Sequence, residues 1–324
     1  MAETALSGLL DATDVAGQAD VRHGRNGIRF AAFGEIGVPQ LDLDSMIEAV
    51  PQAIPAALGN SIFFFVPAAL RGPEPSLRRN DTSSRRDDDA LVAREYTPEI
   101  GERAICHRNV ALRSGERGVF ISTRLMSDRF ALCFEFFINV AHAFVEAAGV
   151  PSAFAELVWR QALSTLPSGV TLPAPENALL EEAHRDTPNV RGESSFDAWE
   201  ARNLALGLPA QGLAEAPAPR PASASRRPEL TRGRSFSFNA AAAPARELTI
   251  DEKERANFEA AAFSDALAIY LLSLALDFDY SELKERDYPL LSPAALAARL
   301  KLVAGLFPPA PGYEFAIRYR RNRG

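Results

Sequence analysis

The stretch that decides the fold is Asp128-Arg-Phe-Ala-Leu-Cys-Phe-Glu-Phe-Phe-Ile-Asn-Val-Ala-His-Ala-Phe-Val-Glu-Ala-Ala-Gly149. It is apolar on nearly every face, so it reads as a helix over 127–148 that the rest of the chain must cover. Ser127 is placed to cap it, Asp128 falls in its first turn, and Gly149 ends it. A second stretch, Ala260-Ala-Ala-Phe-Ser-Asp-Ala-Leu-Ala-Ile-Tyr-Leu-Leu-Ser-Leu-Ala-Leu276, has the same character. It belongs to a helix over 251–276, entered through Thr249 and Glu252 in a capping-box spacing. Two helices of this kind bury their apolar surface most readily on each other.

Strand signals lie N-terminal to the first of these helices. Ile28–Phe33 reads as a strand, and a helix follows from Asp42 or Asp44 to about Leu58, interrupted by Pro51 and Pro55. Ser61-Ile-Phe-Phe-Phe-Val66 is a short continuous apolar run, the pattern of a strand covered on both faces. Strand, helix and strand give a βαβ outline without a glycine-rich phosphate loop. Ala104–Leu112 and Gly118–Thr123 flank a glycine-bearing turn and read as a hairpin. Further helices are expected over 151–166, 176–185 and Pro293–Gly305, with a closing strand at Tyr313–Tyr319. The expected fold is α+β: a small mixed β-sheet packed against a helical layer with two long buried helices. Along the chain this divides into a flexible leader (1–27) and a first core segment (28–206). A Pro/Ala/Arg-rich linker or insertion (207–247) follows, then a helical continuation of the same domain with the C-terminal strand (248–324).

Composition narrows the possible functions. The 324 residues carry a formal charge of −7, which argues against a general nucleic-acid binder, since such proteins present basic surface to phosphates. Cys106 and Cys133 form no CxxC or zinc-ligand spacing. The first residues lack the basic and apolar regions of a secretory signal. No run reaches the roughly 18 uninterrupted apolar residues of a membrane span. The expectation is a soluble, cytoplasmic protein with no membrane span. The tract Arg78–Asp89 contains three consecutive aspartates, but their side chains diverge and it reads as a solvated loop. Ser235, in the basic patch Arg232–Phe238, offers a phosphorylation site within the linker.

Four polar residues interrupt the 127–148 helix: Glu135, Asn139, His142 and Glu146, spaced 4, 3 and 4 apart. At about 100° per residue they share one stripe. Polar groups on a buried helix need partners, since unpaired burial is costly. The facing helix offers Glu259 and Asp265. Carboxylates and an imidazole suit a divalent metal, with His142, Glu146, Glu259 and Asp265 as candidate ligands and Glu135 and His142 as catalytic groups. The segment Arg129–Ile138 resembles the active helix of zincin-type peptidases, where an RF-x-L run leads into HExxH and a later helix adds a glutamate. That resemblance implies Glu135 as the general base and Glu259 as the later ligand. Both motif histidines are replaced here, by Phe134 and Ile138, so it implies a degenerate, inactive relative.

The stripe alternatively forms a hydrogen-bond network that fixes helix register. Two functions therefore stand as expectations. The first is a non-catalytic protein-interaction or regulatory protein with a protein partner, using the arginine-rich linker and the charged loop. The second is a metal-dependent hydrolase with its site between helices 127–148 and 251–276.

Overall fold

The computed structural model describes residues 8–71, 90–105, 107–126, 128–167, 170–186, 190, 192–208, 246–277, 279–280, 283 and 291–316. The tract Arg78–Asp89, Cys106, Ser127 and Ser235 lie outside the described residues, as do most of the linker and the end of the expected C-terminal strand.

The run Ser61–Val66 forms β4, the middle of a five-stranded sheet ordered β2 (Arg22–His23), β3 (Arg29–Ala32), β4, β9 (Arg117–Ser122) and β8 (His107–Ala111). β3, β4 and β9 run parallel, and the two outer strands are antiparallel to their neighbours. Successive side chains on β4 point to opposite faces, and both faces are covered, which is why the strand is apolar throughout. Phe63 and Phe65 meet the helices, whereas Phe64 stacks on Phe120 with ring centroids 4.7 Å apart on the other side. The expected hairpin is present as β8 and β9.

A second, antiparallel sheet has the order β1 (Leu9–Asp11), β6 (Ala90–Ala93), β5 (Ala68–Arg71), β7 (Ala104–Ile105). The chain passes from β4 to β5 across Pro67, and from β7 to β8 across residue 106. Each long apolar run is thus shared between two sheets. Ser122 ties the corner: its hydroxyl accepts from Ala69 N at 2.7 Å and donates to the Ile105 carbonyl. The expected loose leader is in part ordered. Leu9–Asp11 pairs with β6, Asp11 caps α1 (Ala12–Gln18), and Ala12 and Val15 are buried beneath the sheet.

The helical layer begins with α2 (Gln40–Glu48), which starts at Pro39 and not at an aspartate cap. A four-residue turn of helix, α3 (Pro98–Gly101), precedes the hairpin. The deciding stretch forms α4 (Arg129–Ala148). Its cap is Asp128, whose carboxylate accepts from Ala131 N at 2.8 Å. Gly149 takes φ 76°, a conformation glycine adopts at little cost, and its N–H closes the helix on the Val145 carbonyl. α4 buries Leu132, Phe136, Val140 and Phe144, each contributing about 2 kcal/mol relative to exposure. After α5 (Ser152–Ser164), α6 (Glu176–Asp186) and α7 (Phe196–Ala205) comes α8 (Glu252–Ala275), capped by Asp251 and not by Thr249. α8 packs against α4, α5, α7 and α9 (Pro293–Leu306). Both α4 and α8 are long and apolar enough to cross a membrane, each with a mean hydropathy of 1.5, yet α8 is spent on the protein core.

Among the described residues the fold is therefore α+β, with two main sheets and two long core helices. The chain on either side of the linker meets again: Asp251 N donates to the Ala205 carbonyl at 2.9 Å, and β10 (Val170–Thr171) pairs in parallel with β11 (Arg246–Glu247). The segment Tyr313–Ala316 forms no strand. Phe315 instead packs edge-on against Tyr270 at 5.2 Å.

Candidate functional site

A cavity of about 390 Å³ lies where β3 and β9 end. Ligands of open parallel sheets characteristically sit at the carboxyl ends of the strands, because loops diverge there and helix N-termini converge. Two loops form this crevice. One follows β3, from Phe33 to Pro39, and leads into α2. The other follows β9, a single 3₁₀ turn over Thr123–Leu125 that leads to the cap of α4. Tyr96, just before α3, forms a third wall.

The loops are held from below. Thr123 Oγ1 lies 2.8 Å from the Ile36 carbonyl and 3.0 Å from that of Val66. Glu35 N donates to the Arg94 carbonyl at 3.2 Å. Gly34 has φ 75°, and a Cβ there would lie 2.5 Å from the Arg94 carbonyl oxygen. Gly37 has φ 68°, and its missing side chain leaves the space that the Arg124 guanidinium occupies. Only glycine suits both positions.

The lining is mostly apolar, with Ile36, Val38, Met46, Met126, Leu132 and Cys133 forming floor and sides. The mouth carries two guanidinium groups, Arg124 and Arg129, and two carboxylates, Asp42 and Asp128. Arg129 pairs with Asp42 at 3.3 Å, joining the first turns of α4 and α2. Asp128 is committed to capping α4. Among the described residues no carboxylate pairs with Arg124, which is exposed and lies 6.0 Å from the Tyr96 ring centroid. Burial pushes the Cys133 thiol up to about 11, so it stays protonated and is a poor nucleophile. The lining includes no histidine, lysine or serine. Such a site can hold an organic molecule by its apolar body and orient it by one cation.

The residues singled out in the sequence are placed elsewhere. The polar stripe of α4 faces away from the deepest core. Asn139 is buried and donates to Glu135 at 3.1 Å, Glu135 is half-buried, and His142 and Glu146 are exposed. Glu146 pairs with Arg117 on β9. On α8, Glu259 pairs with Arg255 at 2.9 Å, and Arg255 also stacks over Trp159 at 4.5 Å. Asp265 is buried and accepts from Ser194 Oγ at 2.7 Å. Among the described residues no three His, Cys, Asp or Glu side chains converge as a metal site.

The buried polar cluster of this protein is a different one, centred on Arg299. This side chain is 0 % exposed; its Nε donates to Gln161 Oε1 at 2.7 Å and its Nη1 to Glu193 Oε1 at 2.5 Å. Arg202 lies 3.8 Å from the same carboxylate and donates to the Gly192 carbonyl. Ser194 links the cluster to Asp265, whose burial, partly offset by its serine hydrogen bonds, raises its pKa to about 6. Loop 192–194 is thereby fastened to α5, α7, α8 and α9. The sequence held one signal for this: Arg299 follows Ala295 and Leu296 and precedes Leu300 and Val303, all buried in a helix whose other charged residue is the exposed Lys301.

Comparison of this chain with family models, with curated proteins and with solved structures found no match.

Proposed function

We propose that this is a soluble, non-catalytic regulatory protein that works by binding a small organic ligand in the crevice at the ends of β3 and β9. The observation that carries the reading is the cavity itself. It has a volume in the range of ligand sites, an apolar lining, and loops fixed by two glycines that no other residue replaces cheaply. The test is native mass spectrometry of the purified protein, as isolated and after incubation with a small-molecule extract. A discrete adduct should be present on the wild type and missing from Val38→Trp, which fills the crevice from its loop. Equal adducts on both proteins would refute the assignment.

A second reading, docking to a protein partner, has its own observation. Phe196 is 56 % exposed and stacks on Trp199 at 5.8 Å, and Leu204 on the same short helix is 48 % exposed. Exposed aromatics of this kind recur at interface centres. This reading predicts that Phe196→Asp abolishes partner binding while leaving the crevice unchanged. The metal-hydrolase alternative draws less support, because Glu135, Glu146, Glu259 and Asp265 each engage a separate partner.

A further inference from the structure

The geometry points to a specific ligand chemistry for the crevice: an organic acid, with an apolar body held between the two loops and its anionic head on Arg124. This rests on the binding role proposed above and narrows it. The first argument is charge bookkeeping at the mouth. Arg129 pairs with Asp42 and Asp128 caps α4, whereas Arg124 is the lining guanidinium that makes no ion pair among the described residues. A guanidinium binds carboxylate, sulfonate or phosphate oxygens through paired N–H donors. The second argument is pre-positioning. Arg124 is set by the 3₁₀ turn at the end of β9, its N–H donates to the Pro67 carbonyl at 3.2 Å, and its guanidinium rests beside Gly37. The ring of Tyr96 holds it only loosely, at the outer limit of a cation–π contact. An incoming anion therefore displaces little. Val38, Met46, Met126 and Leu132 supply the apolar surface for the body.

Two fluorescent dyes with the same ring system separate head from body. 1-Anilinonaphthalene-8-sulfonate carries the anion, and N-phenyl-1-naphthylamine lacks it. Both should bind the wild type, and both should be excluded by Val38→Trp. Arg124→Gln should weaken the sulfonate by about tenfold or more, as expected for a lost charged hydrogen bond, and leave the neutral dye unchanged. Arg124→Lys should restore part of the difference. Arg124 is exposed, so matching melting temperatures verify that the variants are folded. Equal sulfonate affinity in wild type and Arg124→Gln would overturn the anion assignment, while loss of both dyes in Val38→Trp would keep the crevice as a binding site. If Val38→Trp binds both dyes as well as wild type, or neither dye binds wild type, the binding role itself falls.

Discussion

Replacing Arg299 by methionine should cost the fold about 3 kcal/mol, and the structure shows why. The guanidinium is wholly buried and makes the 2.5 Å contact that balances Glu193 inside the helical layer. Removing it strands a carboxylate that is itself 1 % exposed. Losing one partner of a buried pair costs about 3–5 kcal/mol. The lower end applies here for two reasons. Arg202 remains 3.8 Å from Glu193, and the buried Nη2 of Arg299, which has no hydrogen-bond partner among the described residues, disappears with the mutation. The assay is urea denaturation. With an m-value of about 3 kcal/mol/M, the midpoint should fall by about 1 M. The internal control is Glu193→Gln in the same background. Because it removes the stranded charge, the double variant should be more stable than the sum of the two single losses by at least about 1 kcal/mol. A loss below about 1 kcal/mol for Arg299→Met, or strict additivity in the double variant, would refute the reasoning.

Two further outcomes follow from the same physics. Asp265 is held at a pKa of about 6 against an ordinary 3.8, so the folded protein binds its proton more tightly than the unfolded chain does. The penalty for keeping it ionised is fully present above pH 6 and vanishes below about pH 4; it amounts to about 3 kcal/mol. Relative to Asp265→Asn, the wild type should therefore gain stability as pH falls from 6 to 4, and parallel stability curves would contradict this. Phe136, which is 0 % exposed and touches the rings of Phe63, Phe65 and Phe137 at 5.3–5.6 Å, should cost about 3–5 kcal/mol when changed to alanine. Thermal denaturation would measure it, and a loss under about 2 kcal/mol would show that the sheet–helix interface collapses around the gap.

Much of the architecture was legible because its signals are local. The six apolar residues of β4 announce a strand covered on both sides, and the glycine-bearing turn before Gly118 announces the hairpin. The helical character of α4 and α8 follows from long, mainly apolar stretches with cap residues near each end. What escaped was the second sheet. Its strands continue the first sheet's strands in sequence, and neither Pro67 nor residue 106 says whether a run stops or turns a corner. Leu9–Asp11 is too short to be read as a strand; its pairing with Leu91–Ala93 makes it one.

The candidate site was less legible, for a different reason. Periodicity correctly placed Glu135, Asn139, His142 and Glu146 on one stripe of α4. It could not say which way the stripe turns. Because the helix is apolar all round, burial of the stripe was expected, whereas packing chose the Leu132–Phe136–Val140–Phe144 side and left His142 and Glu146 outside. The crevice residues, from Gly34 through Val38 to Arg124 and Arg129, share no motif. They are brought together only because β3 and β9 run parallel on either side of β4. Likewise Gln161, Glu193, Arg202 and Arg299 span well over a hundred positions, and in an arginine-rich chain no single arginine stands out.

We propose that this protein works through the crevice at the ends of β3 and β9. Backbone amide chemical-shift mapping of the wild type during titration with 1-anilinonaphthalene-8-sulfonate locates the binding surface. The largest shifts should fall on Ile36–Val38, Tyr96 and Thr123–Cys133. Shifts concentrated on Phe196–Ala205, with the crevice amides unmoved, would contradict it.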